Sequence, residues 1–237
     1  MRERSQDYQK TDGTKSLFEL FFVEKFLQME IHKTYVRQVV YDGVAYTKGS
    51  VVDLYEAFHI ACQQFPFKKN PEIKPLPTRD WAGSDGVDVY VPDVIPMKEY
   101  DMEVTFLYVR NIDDATGGQS VSGETPMERR DRLMRSDIRN FIDYICGRIG
   151  SGAQGDSIES GRLAIYDEYT GMGRKDVVVQ KVDNELFFSN GDDPDVVAKF
   201  KVKFMVYDPT TDVYPESGTY SGVTRVTKLK WSGDGES

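Results

Sequence analysis

Histidine is scarce in this chain, with only His32 and His59 among 237 residues. General acid–base and metal chemistry lean on imidazole, so the shortage weighs against an enzyme of those kinds. Neither histidine has a partner at the His-Glu-x-x-His spacing. Cysteine is equally rare: Cys62 and Cys146 are too few for a disulfide framework. Each falls in an apolar helical pattern, where a free thiol packs as a small hydrophobe. Basic charge is in deficit, with Lys+Arg 30 against Asp+Glu 39 and a net charge of −9. That balance argues against general binding of a phosphate backbone, which needs clustered cations. No uncharged apolar run is long enough to cross a membrane, because residues 17–31 carry Glu19, Glu24, Lys25 and Glu30. Residues 1–16 are polar and show no apolar signal core. No Asn-x-Ser/Thr sequon occurs.

What is present is a chain able to bury a sizeable core, 39% hydrophobic and 29% charged. Its organisation is expected to be an arm and short apolar helix over 1–28, one β-rich domain over 29–231, and a flexible tail over 232–237. Phe18, Phe21, Phe22 and Phe26 crowd the first helix and must meet a core or another subunit. Strands are expected over 34–41 and 44–46, joined by Asp42-Gly43 as a type I′ hairpin turn. Ser50 is expected to cap a helix that carries Val51, Leu54, Tyr55, Phe58, Cys62 and Phe65 and stops at Pro66.

Six prolines between 66 and 96 predict extended, loop-like segments around Trp81. A half-buried strand follows over 100–109, with Met102, Val104, Phe106 and Tyr108 on one face. Thr125-Pro126-Met127-Glu128 opens a further helix with the stripe Leu133, Ile138, Phe141, Ile142 and Ile145, ended by Gly147. Short strands are expected over 163–166, 177–182, 185–188 and 223–231. Over 195–207, Phe200, Val202, Phe204 and Val206 alternate with Lys199, Lys201 and Lys203. The lysines predict an exposed face or the protection of an edge strand. The pattern as a whole is α+β, dominated by antiparallel sheet, with loop insertions over 110–124 and 150–160.

The chemistry-bearing residues form no nucleophile or metal constellation, and no cofactor is expected. Gly171-Met172-Gly173-Arg174 begins like a dinucleotide loop but lacks a third glycine and a following helix, so it reads as a hairpin turn. Asp80, Asp85, Asp88 and Asp93, and Asp192, Asp193 and Asp195, lack the ligand spacing of a calcium loop and read as solvated turns. Arg129, Arg130, Arg132 and Arg135 alternate with acids, as on a solvated helix face.

Three stretches carry a resemblance. The first is the Pro-rich run into Thr78-Arg79-Asp80-Trp81 and Asp85-Gly86-Val87-Asp88. The second is Leu163-Ala164-Ile165-Tyr166-Asp167-Glu168-Tyr169 with its following hairpin. The third is the strand over 197–206 closing on Tyr207-Asp208-Pro209. Together they resemble tail-tube-type proteins of tailed bacteriophages, most nearly the distal tail proteins. The resemblance implies a β-sandwich or barrel with flanking helices. It also implies a homo-oligomeric ring, hexameric in such proteins, in a virion tail made in the bacterial cytoplasm. Other tail proteins would be partners, and DNA would pass without specific binding or a membrane anchor. Phe18, Phe21, Phe22, Phe26, Arg79, Asp80 and Trp81 are the expected interface, with Trp81 buried as a wedge. A tail tube, terminator or completion protein is the alternative within that class. From another class comes a carbohydrate-binding β-sandwich with Trp81, Tyr90 and Tyr100 as its platform.

Overall fold

The structure, a computed structural model, describes residues 32–80, 82, 85–109, 121–153, 158–183, 187–188, 196–220 and 222–233. The strands are β1 (Thr34–Tyr41), β2 (Tyr46–Asp53), β3 (Ile60–Gln64), β4 (Thr78–Asp80), β5 (Val87–Val89) and β6 (Tyr100–Val109). They continue with β7 (Arg162–Asp167), β8 (Met172–Val182), β9 (Phe187–Phe188), β10 (Val196–Val206), β11 (Val213–Tyr220) and β12 (Val223–Trp231). Among the described residues two helices join them, α1 (Leu54–Phe58) and α2 (Pro126–Ile145). One antiparallel sheet runs β2-β1-β7-β8-β10-β6-β3, with β9 paired to β10. Two separate hairpins, β4–β5 and β11–β12, complete an α+β fold dominated by antiparallel sheet.

Strict alternation builds the core. Met102, Val104, Phe106 and Tyr108 of β6 are buried, and the residues between them are not. On β10, Phe200, Val202 and Phe204 pair in register with Phe106, Val104 and Met102. Strand geometry sends all of these to one face. Helix α2 covers that face with Met134, Ile138, Phe141, Tyr144 and Ile145. The Phe141 ring meets Phe106 edge-on at 5.0 Å, a favoured aromatic geometry. Leu133, expected on the stripe, is only half-buried; Met134 and Tyr144 take the core positions instead.

The α2 start follows its sequence. Thr125 accepts from the Glu128 N–H at 3.3 Å, and the Glu128 carboxylate accepts from the Thr125 N–H at 2.9 Å. Gly147 ends the helix at φ 72°, where a Cβ would lie 2.2 Å from the Gly161 nitrogen. Close packing and backbone conformation both require glycine here.

The helix expected from Ser50 is shorter than its sequence predicts. Ser50 lies inside β2, and Asp53 is the cap, accepting from Tyr55 and Glu56 N–H groups at 2.9 and 3.3 Å. The helix closes after one turn at His59, whose φ is 56°. Cys62 therefore sits on β3 beside β6. The cause is competition for the sheet: Val51 and Val52 gain a ladder against Arg37 and Val36 of β1. The β1–β2 connection also differs, being four residues long, because Tyr41 already pairs with Tyr46. Asp42 accepts from the Val44 and Ala45 N–H groups, both at 2.8 Å. The lysine strand β10 is no edge, since β8 and β6 flank it.

The opposite face holds a second, smaller core of Tyr35, Val39, Ala164, Val213, Leu229 and Trp231 beneath the β11–β12 hairpin. Strand β11 went unforeseen, since Pro215 and Gly218 interrupt its pattern. Arg37, also buried, donates Nη1 to the Leu229 carbonyl at 3.3 Å. Lys48 lies 4.8 Å from the centre of the Trp231 ring, a cation–π contact.

Arg174, 2% exposed, ties three segments together. Its Nη1 donates to the Gly173 carbonyl at 2.9 Å and pairs with Asp212 just before β11. Its Nη2 donates to the Lys68 carbonyl at 3.0 Å, at the root of the Pro-rich segment. Arg174→Met keeps the volume but strands those carbonyls. It is expected to cost about 1.5–3 kcal/mol in denaturant melts and to speed amide exchange over 66–74. Unchanged stability and exchange would show that the clamp is idle. At the helix start, Thr125→Ala is expected to cost about 1 kcal/mol in the same melts, and Thr125→Ser to cost little.

Candidate functional site

Residues 66–99 leave the sheet between β3 and β6 and return to it as an antiparallel ribbon. Lys98 N–H donates to the Glu72 carbonyl at 2.6 Å, and Lys74 N–H to the Pro96 carbonyl at 2.9 Å. Ile73 bridges Met97, and farther out Thr78, Arg79 and Asp80 pair with Val89, Asp88 and Val87. Prolines at 75, 77, 92 and 96 interrupt the ladder, since each removes a donor. No described residue from 66 to 99 is buried. Ile73, Val87, Val89, Tyr90, Val91, Val94 and Ile95 are exposed, Val94 to 81% and Tyr90 to 68%.

The root of the ribbon is anchored electrostatically. Lys68 N–H donates to the Tyr100 hydroxyl at 3.2 Å, and its ammonium lies 5.4 Å from that ring's centre. Burial pushes the Tyr100 hydroxyl up from its ordinary pKa. Glu99 accepts from its own backbone N–H and from Lys74, which hold its carboxyl below the usual range. A cleft of about 310 Å³ opens beside the root, lined by Lys68, Glu72, Lys98, Glu99, Tyr100, Asp101 and Met205.

Of the expected interface, Arg79 and Asp80 stand exposed on β4, with Arg79 opposite Asp88 across the ladder. Opposite charges facing each other in this way favour the register. Phe18, Phe21, Phe22, Phe26 and Trp81 lie outside the described residues. The described neighbours of Trp81, namely Arg79, Asp80, Ala82 and Asp85, are exposed. The sugar platform is not assembled: Tyr90 is exposed, whereas Tyr100 is buried at 6% in the main core. The two do not share a surface.

Asp80, Asp85, Asp88 and Asp93 are spread along the ribbon, and no group able to hold a metal ion occurs among the described residues. Asp192, Asp193 and Asp195 lie outside those residues. His32 packs against Tyr169 at 4.6 Å, and His59 faces Asp137 at 3.4 Å. Cys62 and Cys146 are half-buried and pack against the main core. Burial pushes the Cys146 thiol above its ordinary pKa.

The sheet face opposite α2 carries the lysines. Lys201 pairs with Glu103 at 2.7 Å and Lys203 with Asp101 at 2.6 Å, while Lys199 is exposed opposite Leu107. Lys181 of β8 stands directly across from Lys203. The β11–β12 hairpin packs on β2, β7 and β8. It leaves Lys181, Lys199 and Lys201 exposed. Sequence reasoning placed the lysines on an open face. It missed Arg174, because a single arginine after Gly173 carries no periodic signal. The mirrored Pro-Glu-Ile-Lys and Ile-Pro-Met-Lys runs around Ile73 and Met97 were the available sign of the ribbon's pairing.

No family model matches the chain, and no curated protein does.

Proposed function

We propose that this chain is a structural subunit of a tailed-phage or prophage tail. It forms a ring at the junction of tube and tip through which DNA passes. The observation that carries the proposal is the ribbon over 66–99, none of whose described residues is buried. A two-stranded ribbon is marginal alone in water and needs a further surface to rest on. Seven exposed large apolar side chains along it are the property of an assembly contact. Of the three stretches that resemble distal tail proteins, two include the sheet strands β7 and β10, and the third includes β4 and β5 of this ribbon.

The acidic excess is compatible with a DNA conduit, since like charge keeps the duplex from adhering to the wall. A tail tube, terminator or completion ring shares this logic and differs only in its place along the tail. The sugar-binding alternative loses its platform with Tyr100 in the core.

The purified chain is expected to form closed rings or stacked rings in negative-stain electron microscopy, with a matching mass in light scattering. A monomer at every accessible concentration would overturn the proposal. Its gene is expected beside genes for a tape-measure protein and tail fibres.

A further inference from the structure

We infer that the acidic tip of the ribbon in one copy docks on the lysine-bearing face of β6, β8 and β10 in a second copy. The inference rests on the ring proposal and names the contact that would close the ring. Between 78 and 95 the ribbon carries Asp80, Asp85, Asp88 and Asp93 against a single cation, Arg79. All five are exposed. They accompany exposed Val87, Val89, Tyr90, Val91 and Val94, so the tip offers both charge and apolar area.

The receiving face has the opposite balance. Lys181, Lys199, Lys201 and Lys203 outnumber Asp101, Glu103 and Asp183, which pair with three of them. Lys181 and Lys203 face each other across the ladder. Each is already paired with an acid, Asp183 and Asp101, and the two ammonium groups side by side offer an incoming carboxylate more than one cation at once. Thr105, Leu107 and Met205 lie half-buried among the lysines and supply apolar contact. The cleft lined by Lys98, Tyr100, Asp101 and Met205 extends this face toward the ribbon's root.

A second copy is the occupant because one chain carries both halves of the match and leaves both open. The described tip residues are exposed, and so are Lys181, Lys199 and Lys201. Tip and face are different surfaces, so their contact is head-to-tail. Such a contact closes into a ring or runs on as a filament, whereas a two-fold dimer would use one patch twice.

Charge exchange tests the contact, read by sedimentation velocity. Asp85→Lys with Asp88→Lys reverses the tip, and Lys199→Glu with Lys201→Glu reverses the face. Each double variant alone is expected to associate at least about tenfold more weakly than the natural chain. Melting temperatures near that of the natural chain establish that both fold. Mixed in equal amounts, the two variants are expected to regain assembly, because each tip then meets a face of opposite charge. Variants that assemble like the natural chain, or a mixture that stays apart, would overturn the inference. If the natural chain still forms rings in that case, the ring proposal stands. A natural chain that is monomeric throughout would overturn both.

Discussion

The alternation of β6 and β10 is the constraint on which everything else depends. Phe106 and Phe200 lie under Phe141 of α2, and Phe65 packs against Phe106 and Phe204 beside it. A strand cannot bury one face without committing the other. Once the phenylalanines point to α2, Lys199, Lys201 and Lys203 point away from it. The lysine face is thus a consequence of core packing, and what remains free is its use. A surface that needed only solubility would be served by mixed charge at any spacing. Here the cations lie along one strand beside half-buried Leu107 and Met205.

The opposite end of the sheet obeys a different rule. There the second face is closed by the β11–β12 hairpin, and polar groups enter the seam. Arg37 and Arg174 are buried, each donating to backbone carbonyls of neighbouring segments. A guanidinium has five donors in a rigid fork, so it can join strands that share no ladder. Arg174 does so where the Pro-rich ribbon departs, since prolines there leave few backbone donors of the ribbon's own. Tyr100 serves the same root from the other side, accepting from the Lys68 N–H. The ribbon is free along its length but fixed where it begins.

Elements with an uninterrupted period were legible in the sequence. The faces of β6 and β10 and the cap and end of α2 were readable because local signals and tertiary packing agree there. The segment 50–65 was not readable, because Ser50 and Asp53 are both good caps and Val51, Leu54 and Phe58 fit a helix as well as a strand. The ladder to β1 decided it, and a long-range partner leaves no mark in the local pattern. Strand β11 was hidden by Pro215 and Gly218, and its place on the sheet depends on Arg37 and Trp231, far off in sequence. Of the candidate site, the position of Arg79 and Asp80 on an extended Pro-rich segment was visible. Its projection from the sheet was not, because proline content predicts local extension and says nothing of docking.

That projection raises a physical difficulty which the ribbon's composition answers. An exposed two-stranded ribbon with apolar side chains has open edges, and open edges invite pairing with any other chain. Prolines at 75, 77, 92 and 96 remove the N–H groups that such pairing would need. Gly86, at φ 89°, helps the chain reverse, keeping β4 and β5 only three residues long. The aspartates then repel ribbons of the same kind from one another. With backbone pairing curtailed and tip-to-tip contact disfavoured, attraction is left to side-chain charge and apolar area. Those are the terms that a basic, partly apolar sheet face satisfies.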